Sequence, residues 1–209
     1  MDYIDVMEWI GTAAFAISGA MVAIKKGLDY YGIIVLAIVT AIGGGIVRDV
    51  LINRDLPASL ENPSYVLISI ASGILVIIFY RYAEKIKNIV NIADAIGLAA
   101  FVAVGCDVAV TESKGTVFVI ITMAVLTGTG GGILRDIFAQ EIPVSFRKEV
   151  YAVAAIAGAA VYAAIYKTFG LNIAGQTAFA VTLAIRLIAI GKGWQLGKVK
   201  IQKKEDAED

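Results

Sequence analysis

Seven charge-poor apolar stretches, at roughly 9–24, 30–47, 64–80, 89–110, 115–134, 150–166 and 168–190, leave this chain few ways to fold. Each approaches the ~20 residues that a helix needs to cross the hydrocarbon core of a bilayer. Hydrophobic residues make up 59% of the 209 and mean hydropathy is +0.80, a pool too apolar to build a water-facing surface. The expected architecture is an all-α integral membrane domain of seven transmembrane helices. The fourth stretch carries Asp94 near its start and Asp107 near its end, and the seventh carries Arg186. The N-terminus is acidic at Asp2, Asp5 and Glu8 where a signal peptide is basic, so the first stretch is read as a helix of the fold.

Charge placement orients the helices. With the N-terminus outside, the inner connections carry Lys25, Lys26, Arg81, Lys85, Lys87, Arg147, Lys148, Lys192, Lys198, Lys200, Lys203 and Lys204, and the outer ones only Arg54, Lys114 and Lys167. Leaving Arg48, Arg135 and Arg186 as embedded, this asymmetry puts the C-terminus in the cytoplasm of a multi-pass plasma-membrane protein. The tail, with Trp194, spaced lysines and an acidic end, reads as a solvated topology anchor or as a contact for anionic lipid. Net charge is zero, which gives no reason to expect a nucleic-acid partner.

Self-comparison adds an internal repeat. Thr40-Ala41-Ile42-Gly43-Gly44-Gly45-Ile46-Val47-Arg48-Asp49 recurs as Thr127-Gly128-Thr129-Gly130-Gly131-Gly132-Ile133-Leu134-Arg135-Asp136, identical at seven of ten positions and offset by 87 residues. At an offset of 86, Glu8 matches Asp94, Gly11 matches Gly97, Phe15 matches Phe101, Gly19 matches Gly105, Asp55-Leu56-Pro57 matches Glu141-Ile142-Pro143, and Tyr65 matches Tyr151. Each copy holds three spans. Three is odd, so the second copy enters the membrane from the opposite side, the inverted arrangement of many transport proteins. The expected organisation is a first repeat over 1–86, a second, inverted repeat over 87–169, a seventh helix over 170–191 and a charged cytoplasmic tail over 192–209. The two glycine motifs are expected on opposite sides of the midplane.

Six glycines within helices forgo on the order of 6 kcal/mol of helix propensity, and two readings account for them. One is close helix packing, supported by the small-xxx-small pair Gly128 and Gly132. The other is a bend whose carbonyls serve a permeating cation; recurrence with Arg-Asp at the same distance favours it. Replacing Gly44 or Gly131 with valine is then expected to abolish conduction and leave assembly intact. Arg48, Asp49, Arg135 and Asp136 lie about one turn further on. Helical neighbours point about 100° apart, so each is expected to pair with another helix rather than with its neighbour, as a helix lock or as a gate at a pore mouth. Glu8 and Asp94 fall near helix starts and read as carboxylates placed on the macrodipole, with cation recruitment as the alternative. The two proline segments read as helix-end connections.

Several chemistries lack their residues. There is no histidine, and Cys106 is the single cysteine, which removes the usual zinc ligand, general base and disulfide. The glycine runs fit neither a dinucleotide fingerprint nor a phosphate-binding loop, and no potassium-channel T-V-G-Y-G filter is present. No enzyme activity, cofactor or bound metal is expected.

The paired motif resembles that of the prokaryotic members of the trimeric intracellular cation channel family, whose duplicated G-G-G-x-x-R-D is matched by Gly43 to Asp49 and by Gly130 to Asp136. The resemblance covers essentially residues 1–191. It implies a homotrimer whose protomers each carry a pore for monovalent cations, potassium and also sodium. Gly43, Gly44, Gly45, Gly130, Gly131 and Gly132 then bend the second and fifth membrane helices around the pore, with Thr40 and Thr127 beside them. Arg48, Asp49, Arg135 and Asp136 become the flanking charges or gate. The lysine-containing pore motif of the animal members has no counterpart that can be placed here. The same group has also been likened to small amino-acid transporters, so a secondary transporter of glycine or another small solute stands as the alternative function.

Overall fold

A computed structural model describes residues 3–112, 115–147 and 150–194. Lys114, Lys148 and nearly all of the expected cytoplasmic tail lie outside them. The chain runs α1 (Tyr3–Lys25), α2 (Tyr30–Leu51), α3 (Ala58–Glu61), α4 (Ser64–Ala83), α5 (Ile89–Thr111), α6 (Val117–Phe138), α7 (Val144–Arg147), α8 (Val150–Phe169) and α9 (Leu171–Lys192). Seven of these are long and apolar enough to cross a membrane, and they coincide with the seven apolar stretches. The differences are at the ends: α1 starts earlier, taking in Asp5 and Glu8, and α2 and α6 continue past their Arg-Asp pairs. The one-turn helices α3 and α7 follow Pro57 and Pro143, where the sequence predicts connections without helix.

The two copies use the same local devices. Asp29 caps α2 by accepting a hydrogen bond from the Gly32 amide at 2.7 Å, and Thr116 caps α6 by accepting from Val119 at 3.3 Å. At the far ends, Asn53 and Gln140 adopt left-handed backbone at φ 58° and 56°. There the Arg54 amide returns to the Asp49 carbonyl at 3.0 Å and the Glu141 amide to that of Asp136 at 2.8 Å, which satisfies carbonyls that each helix end leaves open.

Within the first repeat α1, α2 and α4 pack on one another, and α5, α6 and α8 repeat that arrangement. The copies join where α1 meets α5 and α2 meets α6, so each helix lies against its own inverted counterpart. Phe15 and Phe101 meet at this seam with ring centroids 5.3 Å apart. Each ring covers a glycine of the opposite helix. A Cβ on Gly97 would lie 2.1 Å from the Phe15 ring, and one on Gly11 would lie 3.1 Å from that of Phe101. α5 is the most enclosed span and α1 the next, as their alanine- and glycine-rich sequences permit. α9 packs on α8 and α5, and among the described residues no helix takes the equivalent place against the first repeat.

Two ion pairs close the ends of the bundle with the same inversion. Lys26 after α1 reaches Glu141 after α6 at 2.7 Å, and Arg54 after α2 reaches Glu112 after α5 at 3.4 Å. Lys26 and Glu112 are offset by 86; Glu141, aligned with Asp55 in the sequence, takes the place of Arg54 in the turn, where each amide returns to the carbonyl of its motif aspartate, so the charges are exchanged between the two ends. The hydrogen bond from Lys26 holds the Glu141 carboxyl below its ordinary value. A depressed carboxyl stabilises the fold above its unfolded pKa, and that contribution fades as pH falls through the folded value. Both groups are largely exposed, so Glu141→Gln is expected to cost under about 1 kcal/mol near neutral pH, discounted for solvent screening. Thermal unfolding in detergent should show the difference shrink as pH falls below the ordinary glutamate range and vanish once pH passes the depressed folded value.

Candidate functional site

The six triplet glycines divide into two kinds of place. A Cβ on Gly44 would stand 2.3 Å from the Thr127 carbonyl oxygen, and one on Gly131 would stand 2.1 Å from that of Thr40. Gly130 abuts the Cα of Gly44, and Gly43 abuts Leu134. α2 and α6 therefore cross backbone to backbone, and both remain α-helical through the triplet. The motifs meet each other where α2 and α6 cross, because glycine at both counterpart positions lets the two chains approach that closely. Gly128 also packs, against Val102 and Leu98.

Thr40 and Thr127 are fully buried at this crossing. Their hydroxyls donate back to the Leu36 and Met123 carbonyls, each at 2.6 Å. Thr40 packs over the backbone of α1 at Gly19, and Thr127 over that of α5 at Gly105. Gly45 and Gly132 differ from the other four. Gly45 has only the Arg48 guanidinium within 4 Å of a built Cβ, and Gly132 faces the Tyr151 hydroxyl and the Asp94 carboxylate. The third glycine of each triplet makes room for buried charge.

That charge forms two equivalent clusters at opposite ends of the antiparallel α1–α5 pair. In the first, Arg48 Nε donates to Asp49 Oδ1 at 2.7 Å, Asp49 Oδ2 accepts from the Ala58 amide at 2.8 Å, and Arg48 Nη1 lies 3.9 Å from Glu8. The Tyr65 hydroxyl donates to the other Glu8 oxygen. In the second, Arg135 Nε donates to Asp136 Oδ1 at 2.8 Å, Asp136 Oδ2 accepts from the Val144 amide at 2.8 Å, and Arg135 Nη1 donates to Asp94 at 2.7 Å and to Ser18 at 2.6 Å. Arg and Asp do pair within each motif, contrary to expectation. A guanidinium has five donors; its Nε edge folds onto the adjacent carboxylate while its outer nitrogens reach the next helix. Each aspartate also caps the one-turn helix that follows, which is why α3 and α7 begin where they do.

Glu8 and Asp94 are the sixth residues of α1 and α5, beyond the first turn in which a macrodipole acts. They serve as counter-ions to the arginines, which the helix-start reading missed, although the offset of 86 already aligned them with each other and Tyr65 with Tyr151.

The clusters differ in charge and access. The first sets two carboxylates, Glu8 and Asp49, against one guanidinium. It borders a cavity of about 30 Å³ lined by Thr12, Gly45, Ser59 and Phe101, room for a water or an unhydrated ion. Glu8 and Tyr65 also line a vestibule of about 400 Å³ that carries Asp5, Glu61, Asp107 and Glu112 against Arg54. The second cluster is balanced by Arg186 from α9. Arg186 Nη2 lies 3.8 Å from Asp94, and its guanidinium stacks 4.5 Å from the centre of the Tyr151 ring.

Known proteins share this plan. The family model described as "Glycine transporter" matches residues 5–81 and again 91–167, one match to each repeat. The UPF0126 inner membrane protein YadS of Escherichia coli K12 is 39% identical over 187 residues, covering 88% of this chain and 90% of that protein. The UPF0126 membrane protein YvgT of Bacillus subtilis is 37% identical over 195 residues, covering 92% and 94%. Among solved structures, a TRIC cation channel superposes with a TM-score of 0.87 at 34% identity over 95% of this chain and 98% of that one. The TRIC trimeric intracellular cation channel orthologue from Rhodobacter sphaeroides superposes with a TM-score of 0.86 at 32% identity over 93% and 100%. With both repeats matched by one family model and the whole helical framework shared, this chain belongs to the UPF0126 membrane-protein family, the bacterial relatives of the TRIC channels.

Proposed function

We propose that the chain forms a potassium-permeable monovalent cation channel, with one pore in each protomer of a homotrimer, the N-terminus outside and the C-terminus cytoplasmic. The superposition on TRIC cation channels carries this reading, since it spans nearly the whole of both chains. The geometry supports it independently. The acidic vestibule narrows to Glu8, and the cavity beyond holds one more negative than positive charge beside Gly45, which concentrates cations. The pore-facing part of the first triplet is then Gly45, with Arg48 and Asp49 as the flanking charges. Gly44 and Gly131 hold α2 and α6 together behind it, and Arg135 and Asp136 flank the path at the other end.

Purified protein in a planar bilayer under a KCl gradient is expected to give discrete current steps that reverse near the potassium potential, with sodium also passing. Stoichiometric uptake of labelled glycine without steps would replace this reading with that of a carrier. Glu8→Gln removes the surplus negative charge and keeps a hydrogen-bonding partner for Tyr65. It is expected to reduce current several-fold at about 10 mM KCl and much less at about 1 M, where screening is complete within a few ångström. Equal currents at both salt concentrations would remove Glu8 from the permeation path.

A further inference from the structure

Ser59 has a hydroxyl that the fold does not use. It is 8% exposed, it lines the cavity of the first cluster, and its Oγ is buried with no hydrogen-bond partner. A serine near a helix start ordinarily spends its hydroxyl on a backbone amide of the first turn or on the carbonyl four residues back. Ser59 does neither. The start of α3 has no side-chain cap of its own at Pro57, and Asp49 reaches across from α2 to accept from the Ala58 amide at 2.8 Å instead. The motif aspartate thus fixes the one-turn helix and leaves the oxygen of the next residue free, in the wall that also holds Glu8, Thr12 and Gly45.

The repeat carries this device twice. Ser145, offset by 86, is the second residue of α7, where Asp136 accepts from the Val144 amide at 2.8 Å, and its hydroxyl is likewise buried without a partner. Buried hydroxyls are seldom left unpaired, so recurrence at both equivalent places points to a use. Around Ser59 the available groups are oxygens. One oxygen of Glu8 takes the Tyr65 hydroxyl, and the other lies 3.9 Å from Arg48, too far for a hydrogen bond. The Tyr65 oxygen keeps its lone pairs once its hydrogen is donated. Glu8 and Asp49 against Arg48 leave one negative charge, which a single monovalent cation cancels and a divalent one overshoots. About 30 Å³ admits one water-sized body, so a cation enters without most of its hydration shell and protein oxygens must replace that shell.

We propose that Ser59 is a cation ligand, and that with Glu8 and Tyr65 it holds one potassium-sized monovalent cation, largely stripped of water, in the cavity beyond the vestibule. The proposal rests on the channel reading and deepens it: the cation pauses here in passage, and its residence sets the concentration at which current saturates. Ser145 stands beside the cluster whose charge Arg186 already balances, so in this conformation only the first cluster calls for a cation.

The test uses the full chain in detergent and reads the unfolding temperature in chloride salts of potassium, sodium and N-methylglucamine, mixed to one ionic strength. N-methylglucamine is too large for the cavity and reports screening alone. Potassium is expected to raise the unfolding temperature saturably above the N-methylglucamine value. Ser59→Ala removes one oxygen and little volume, and should raise the half-saturating potassium concentration about fivefold or more. Gly45→Ala keeps every oxygen and sets a methyl into the cavity wall, 3.9 Å from its nearest neighbour; it should weaken binding comparably, and it decides by the same reading should Ser59→Ala fail to fold. In bilayers both substitutions should raise the KCl concentration at which current half-saturates, whereas a residue that only shapes the protein would scale current without moving that concentration. No potassium effect beyond that of N-methylglucamine, or an unchanged half-saturating concentration in Ser59→Ala, overturns the proposal. Current from a protein that shows no specific potassium effect would remove the site alone; a potassium effect in a protein that passes no current in any membrane would remove the channel alone.

Discussion

Replacing Gly44 with alanine is expected to destabilise the fold by about 3 kcal/mol, the upper end of overpacking costs, while the same replacement one residue later, at Gly45, leaves it unchanged or more stable by up to about 1 kcal/mol. The added methyl at Gly44 would stand 2.3 Å from a carbonyl oxygen of α6, and a helix backbone cannot rotate aside as a side chain can. Gly131 is its counterpart, with 2.1 Å to the Thr40 carbonyl. At Gly45 the nearest atom is the Arg48 guanidinium at 3.9 Å, so alanine gains helix propensity without a clash. Valine at Gly44 or Gly131 is therefore expected to break assembly as well as current, which reverses what the motif alone suggested. Thermal unfolding and gel filtration of the Gly44→Ala and Gly45→Ala proteins in detergent decide the matter. Equal stability of the two would show that the α2–α6 crossing is not the tight contact described here.

The contrast between these adjacent glycines marks the limit of what the residues alone could convey. Apolar runs bounded by charge placed all seven spans, because a bilayer demands length and hydrophobicity from every helix regardless of its neighbours. The repeat then supplied the inversion, since an odd number of spans per copy admits no other topology. Neither signal says which neighbour uses the space where a Cβ is missing, so Gly44, which touches a backbone, and Gly45, which borders a cavity, read alike. The pairing of Arg48 with Asp49 was hidden for a related reason. Helical periodicity describes where a side chain leaves the backbone, not how far a long guanidinium folds back. α3 and α7 span four residues each, too few for any period to appear. Arg186 has no partner in the self-comparison, so nothing in the chain's symmetry could connect it to Asp94.

Removing Arg135 is expected to unbalance a buried cluster that Arg186 compensates only in part. Arg135 holds Asp94, Asp136 and Ser18 by hydrogen bonds of 2.6–2.8 Å in a fully enclosed site. With glutamine there, two buried carboxylates face Arg186 alone, and an uncompensated buried charge of this kind typically costs about 3–5 kcal/mol. Arg48 lies 3.9 Å from Glu8, whose side chain is 14% exposed and keeps its bond from Tyr65, while Asp49 keeps its bond from Ala58. Arg48→Gln still strips the only guanidinium from Asp49, which is 1% exposed, and is expected to cost as much, about 3–5 kcal/mol. The origin of the cost at Arg135 can be isolated by adding Asp94→Asn to Arg135→Gln, which leaves Asp136 and Arg186 as a balanced pair. A double-mutant cycle on unfolding free energies should then show the second substitution recovering part of the loss caused by the first, a coupling that independent sites do not produce. If Asp94→Asn only adds its own penalty, charge balance is not what holds the second cluster together, and the electrostatic difference between the two ends of the molecule loses its basis.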